Sequence, residues 1–107
     1  MPLIVSEIAI REAGSADFAN LLKADPEIAG RLQGAAEAAD GRLFVGIFNA
    51  RPVALLRVTP APAGWVLADL VVHPATRGRG VGKEMLRQST ALLAPDPLDS
   101  GPRWPLR

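Results

Sequence analysis

The stretch Arg77-Gly78-Arg79-Gly80-Val81-Gly82-Lys83 carries the strongest chemical signal in the sequence. Glycines at alternate positions remove Cβ atoms and open backbone conformations that other residues resist. Several amide N–H groups then converge on one anion, and a helix starting here adds the positive end of its dipole. Arg77, Arg79 and Lys83 supply further positive charge. The combination suits a pyrophosphate. Spacing separates it from other phosphate loops. A Walker loop needs Gly, four residues, then Gly-Lys-Ser/Thr. Here Arg77 stands where the first glycine belongs, and Glu84 follows Lys83. A dinucleotide fingerprint needs G-x-G-x-x-G in a parallel βαβ unit, with an acid about 20 residues on. The spacing here is G-x-G-x-G, and Asp96 and Asp99 lie in a Pro-rich segment.

The elements around this loop follow from local patterns. Leu3 to Ile10 is rich in β-formers and predicts a strand. Ser15 reads as an N-cap, and Phe18, Leu21 and Leu22 follow at helical spacing, predicting a short helix that ends near Asp25. Asp25-Pro26 starts a second helix, with Ile28, Leu32, Ala35, Ala36 and Ala39 on one face and Asp40-Gly41 as its stop. Three apolar runs, 43–48, 53–59 and 65–72, are separated by short turns and predict an antiparallel meander. They are apolar at most positions, so the sheet is expected to be covered on both faces. The last helix begins near Gly80, with Val81, Met85, Leu86, Leu92 and Leu93 on its apolar stripe. Prolines after Ala94 argue against a helix or a central strand there. The expectation is an α/β domain of layered α+β type over residues 1–94, in the order β-α-α-β-β-β-α, with an irregular tail over 95–107.

Bulk properties narrow the function classes. A chain of 107 residues is one domain by length. Its net charge of +1 is too small for a protein built to grip long nucleic acid. With no cysteine and His73 as the single histidine, disulfides and thiolate metal sites are impossible and a protein-built metal site is not expected. No apolar run approaches the roughly 18–20 residues that span a bilayer, and no signal peptide is read at Met1-Pro2-Leu3. A cytoplasmic protein is expected.

Arg77-x-x-Gly80-x-Gly82, preceded by Leu70-x-Val72-x-Pro74, resembles the R/Q-x-x-G-x-G/A motif of the GNAT (GCN5-related N-acetyltransferase) superfamily. With the element order counted, the resemblance covers roughly residues 3–93. It implies that Arg77, Gly78, Arg79, Gly80, Val81, Gly82 and Lys83 hold the pyrophosphate of acetyl-coenzyme A. It also implies that Leu70, Val71 and Val72 pair with the pantetheine arm. Phe48, Asn49, Arg51, Ala54, Arg57, Val58 and Thr59 match the F-N-x-R-x-x-A-x-x-R-V-T stretch of the PanZ/PanM group. Those GNAT-fold proteins bind acetyl-coenzyme A and promote maturation of the aspartate α-decarboxylase precursor. That resemblance makes Asn49 and Arg51 candidate partner contacts. Asn49 is equally what a turn selects for its own geometry.

Acetylating an amine requires a base for the amine and a proton for the departing thiolate. The chain has no tyrosine, which many GNAT enzymes use as the acid. Asp69 and His73 are the base candidates near the loop. Asp69 lies in an apolar strand, where burial would raise a carboxyl pKa. The competing assignment is a pair with Arg57 on the neighbouring strand. GNAT domains continue past this helix with a strand, a helix and a final strand, and here Pro-rich sequence follows instead. An open site, a site completed by a second subunit in a homodimer, or a shortened relative are the alternatives, and Trp104 is a candidate cover for apolar surface. Three functions remain open: transfer of acetyl to a small or peptide amine, non-catalytic acetyl-coenzyme A sensing through the Asn49 turn, and a structural domain without ligand.

Overall fold

The computed structural model describes residues 3–99. Its centre is a five-stranded sheet in the order β1-β2-β3-β4-β5. The first four strands, Ile4–Ile8, Arg42–Phe48, Arg51–Ala61 and Gly64–Val72, form the antiparallel meander that the short turns require. Phe48 and Arg51 pair across a two-residue turn, and its central residues Asn49 and Ala50 have φ of 51° and 62°. Positive φ at both positions matches the right-handed twist of the flanking strands. The fifth strand, Leu98–Asp99, runs parallel to β4 beside Trp65 and Val66. This corrects the expectation of a wholly irregular tail: proline is tolerated at a sheet edge, and Pro97 O accepts from Trp65 N–H at 2.9 Å. Trp104 and the rest of the tail lie outside the described residues.

Alternation along the strands divides the core in two. One layer joins Leu43, Val45, Leu55 and Val71 to Ile28, Leu32 and Ala35 of α2 (Pro26–Ala38). The other joins Phe44, Ala54, Leu56 and Val58 to Val81, Met85, Leu86 and Leu93 of α3 (Val81–Leu93). Helices thus cover both faces of the sheet, as the apolar runs require. The segment before α2 is tighter than expected. It forms 3-10 turns over Ile10–Gly14 and Ala16–Phe18, followed by a one-turn helix, α1 (Ala19–Leu22). Ser15 makes no side-chain cap bond. Asp25 does cap α2, its carboxylate accepting from Ile28 N–H at 3.1 Å. Leu92 falls at the angle of the α3 stripe but in its last turn, and it is 47% exposed; Ser89 takes a fully buried place instead. None of the described helices is long and apolar enough to cross a membrane.

Helix α2 ends in paired bonds that satisfy its last carbonyls, Asp40 N–H to Ala35 O at 2.9 Å and Ala39 N–H to Ala36 O at 3.4 Å. The chain then turns into β2 through Gly41 at φ 88°, where an added Cβ would lie 2.2 Å from Val58 O. Gly41→Ala therefore meets both a left-handed backbone cost of about 1–2 kcal/mol and an overpacking cost of about 1–3 kcal/mol. At roughly 4–8 °C per kcal/mol for a domain of this size, its melting midpoint is expected to fall by about 10 °C or more. A thermal melt checks this, and a fall of about 2 °C or less would contradict it.

Candidate functional site

The glycine loop is held at both ends by backbone chemistry. At its start, His73 N–H donates to Val53 O at 2.8 Å, closing the β3–β4 ladder. His73 Nδ1 then accepts from Ala75 N–H at 3.1 Å, capping a 3-10 turn over Pro74–Thr76. Thr76 donates to His73 O through both N–H and Oγ1, each at 2.9 Å. Arg77 folds back, its Nε donating to Val72 O at 3.2 Å. That bond holds its guanidinium against the strand end and makes it a brace for the loop.

Gly78 and Gly80 then take φ of 79° and 77°. A Cβ at either would meet nothing within 4 Å. Backbone conformation, not crowding, selects glycine here, and the surface beside these residues is open. Gly80 precedes α3 without any side chain to cap it. The first bond of the helix runs from Glu84 N–H to Gly80 O at 3.0 Å. The amides of Val81, Gly82 and Lys83 therefore stand ahead of the helical ladder, as first-turn donors do. Val81 contributes only its backbone, since its side chain is buried under the sheet. Arg79 and Lys83 are exposed and form no ion pair with any described residue. Glu84, the acid nearest this cluster in sequence, is held by Arg87 and Gln88, whose hydrogen bonds pull its carboxyl down to about 2. The arrangement is a positive helix mouth with unladdered amides, suited to a multiply charged phosphate group.

The strand before the loop presents one open edge. Strand β5 pairs with β4 only at Trp65 and Val66, so no described strand flanks residues 67–72 on that side. The His73–Val53 bond sets the alternation. Asp69 and Val71 turn their backbone groups toward β3, while Leu70 and Val72 turn theirs to the open edge. Of the three residues expected to meet a ligand arm, Leu70 and Val72 have outward backbone and Val71 does not.

Asp69 is not placed as a base. It is 1% exposed and faces α2, on the opposite side of the sheet from α3. Its Oδ1 accepts from Arg31 Nε at 2.7 Å, and its Oδ2 from Arg57 Nε and Nη2 at 2.8 Å. Both oxygens are thus engaged by guanidinium groups, and the carboxylate is closed off from solvent. The cross-strand pair with Arg57, weighed against the base role from sequence, is present. Arg31 was missed, because nothing local links α2 to β4. Gln88, off the apolar stripe of α3, is a further residue that local pattern does not single out. Its amide bonds Leu3 O at 2.8 Å and Val5 N–H at 3.1 Å, standing in for a further strand along the β1 edge.

Asn49 and Arg51, the candidate partner contacts, line a cavity of about 430 Å³ together with His73 and Thr76. The cavity thus lies between the β2–β3 turn and the 3-10 turn that leads into the glycine loop. A larger cavity of about 660 Å³, between the 3-10 turns and α2, shares no residue with the loop.

Residues 4–95 match the family described as acetyltransferase (GNAT) domain, PanZ. The chain belongs to that family. Comparison with curated proteins gives no match. Among solved structures, the fold is similar to a ribosomal-protein-alanine N-acetyltransferase from Brucella melitensis biovar Abortus 2308, with a TM-score of 0.65 and 17% identity, over 96% of this chain and 82% of that one. It is also similar to a GNAT family acetyltransferase from Brucella melitensis in complex with acetyl-CoA, with a TM-score of 0.62 and 16% identity, over 85% and 68%. For an IAA acetyltransferase from Bacillus cereus ATCC 14579 the TM-score is 0.61 and the identity 20%, over 85% of this chain. The match spans 57% of the length of that last protein. The GNAT fold read from the loop and the element order is therefore the fold of this chain.

Proposed function

We propose that the chain binds acetyl-coenzyme A. Its pyrophosphate rests on the amides at Gly80–Lys83, flanked by Arg79 and Lys83, and its pantetheine arm adds to the outer edge of β4 at Leu70 and Val72. The observation that carries this reading is the pair of left-handed glycines, 78 and 80, opening onto a helix start whose first amides precede the ladder. Acetyl-CoA is the ligand in the complex of the Brucella melitensis relative. Arg77 braces the loop from Val72 O and need not touch the anion itself.

Bound acetyl-coenzyme A supports two uses: transfer of acetyl to a small or peptide amine, or acetyl-coenzyme A-dependent contact with the aspartate α-decarboxylase precursor, as in the PanZ/PanM group. The cavity at Asn49 and Arg51 favours the second. A partner segment seated there would touch His73 and Thr76, the residues that hold the start of the loop, so ligand and partner would each stabilise the same turn. The sequestration of Asp69 points the same way, since an acyltransferase needs a base within reach of the amine. A reducing cytoplasm is the compartment this reading implies.

Two assays on the same preparation separate the uses. One follows thiol release from acetyl-coenzyme A with a panel of small and peptide amines. The other follows cleavage of the decarboxylase precursor with and without acetyl-coenzyme A. Accelerated cleavage that requires acetyl-coenzyme A, without amine-dependent thiol release, is the expected result. Asn49→Ala is expected to abolish the acceleration while leaving acetyl-coenzyme A affinity within about twofold. Amine-dependent turnover with no effect on the precursor would reverse the order of the two uses.

A further inference from the structure

The buried ion cluster beneath β4 lies on the wrong face of the sheet to meet the coenzyme, yet it is built around the strand that does. Asp69 accepts from Arg57 on β3 and from Arg31 on α2. Arg57 reaches on to Asp40 O and Oδ2 at 3.5 Å, at the end of α2, and Arg31 to Glu27 at 2.9 Å. The cluster sits at an irregularity. Arg57 pairs with Asp69, but Val58 pairs with Leu67, so Ala68 is an extra residue on β4. Such a bulge leaves one residue unpaired and re-aims the strand beyond it. Here the strand beyond it is Leu70–Val72.

A bulge on its own leaves the pairing phase free to shift. A slip of one residue would carry every side chain to the other face. It would also exchange the two sets of backbone groups, turning those of Asp69 and Val71 to the open edge in place of Leu70 and Val72. The ion cluster opposes that slip. Moved to the α3 face, the Asp69 carboxylate would enter an apolar layer of Phe44, Leu56, Val58 and Met85, without a guanidinium partner. Arg57 would meanwhile face α2 with only the long contact to Asp40, at 3.5 Å, left to it.

Resting on the acetyl-coenzyme A reading above, we infer that Asp69, with Arg57 and Arg31, is a positioning residue for the pantetheine arm. It locks the phase of β4 so that the backbone groups of Leu70 and the N–H of Val72 are offered to the ligand, the Val72 carbonyl being held by Arg77, and it makes the seating of α2 a determinant of arm binding. None of the three side chains touches the coenzyme.

The arm and the pyrophosphate separate experimentally, because ADP carries the diphosphate without pantetheine. Titration calorimetry with acetyl-coenzyme A and with ADP is run on wild type, Arg31→Met and Asp69→Asn, at a temperature where circular dichroism shows each variant folded. Arg31 is 38% exposed in its side chain, so Arg31→Met keeps the buried Asp69–Arg57 pair and supplies a folded variant if Asp69→Asn does not fold. Acetyl-coenzyme A affinity is expected to fall about tenfold in Asp69→Asn, the scale of one or two lost hydrogen bonds, and by a smaller factor of about threefold in Arg31→Met, which keeps the Arg57 pair, while ADP affinity stays within about twofold of wild type. A purely structural role would weaken both ligands by the same factor. Equal losses, or no loss of acetyl-coenzyme A affinity in Arg31→Met, would overturn the positioning role. Failure of wild type to bind either ligand is a different pattern, and it would overturn the coenzyme reading and this one with it.

Discussion

Acetyl-coenzyme A at a hundredfold excess over its Kd is expected to raise the melting midpoint of the wild-type chain by about 11–22 °C and to leave that of Gly80→Asp unmoved. The size follows from mass action. A ligand bound only by the folded state stabilises it by about 2.7 kcal/mol at that excess, and each kcal/mol is worth roughly 4–8 °C in a domain of this length. Gly80 is a favourable position for the test. Its φ of 77° makes any side chain cost something, but a Cβ there meets nothing within 4 Å. Aspartate tolerates the left-handed region better than most residues, so the variant is expected to fold. Its carboxylate would then lie at the mouth of α3, where it repels a diphosphate and competes for the same amides. Gly80→Ala carries the backbone cost without the charge and is expected to keep part of the ligand-induced rise. If Gly80→Asp melts with the full wild-type increment, the anion binds elsewhere.

The second large effect is on stability. Asp69→Ala is expected to cost about 3–5 kcal/mol, the range for removing one partner of a buried ion pair. Arg57 would be left buried with only the long contacts to Asp40 at 3.5 Å. Against a total stability of roughly 5–15 kcal/mol, that brings the domain near the edge of folding. Urea unfolding measures it. The same principle gives a control: Asp69→Leu combined with Arg57→Met removes both buried charges, and it is expected to recover much of the loss. In that double variant Arg31, 38% exposed in its side chain, is expected to turn to water. A double variant less stable than Asp69→Ala would show that packing, not the unpaired guanidinium, sets the cost.

Helix α3 shows how far periodicity reaches. Its start at Gly80 and its buried Val81, Met85, Leu86 and Leu93 are legible from spacing, because a helix repeats its faces regardless of context. Its contacts are not. Gly46 admits Met85, whose Sδ would lie 2.5 Å from a Cβ on that glycine, and the two residues are far apart in sequence. Gln88 bonds Leu3 and Val5 across 85 and 83 residues. The first helix was the reverse case. Phe18 and Leu21 are buried as their spacing implies, but Ser15, at the N-cap position, makes no side-chain bond and the segment winds mostly as 3-10 turns. The pattern there specified which residues go inward and not the kind of turn.

From its order of residues alone this chain dictates much of its local structure. The alternating glycines demand a loop with left-handed residues, Asp25-Pro26 starts a helix, and short turns link three apolar runs into a meander. Those constraints act over a few residues and need no partner. Tertiary structure decided the role of Asp69, because a carboxylate in an apolar strand becomes a base or an anchor according to what faces it. The groups that face it, Arg57 and Arg31, come from 12 and 38 residues away. Folding brought two guanidinium groups to both of its oxygens, and charge neutralisation in a buried layer made it an anchor.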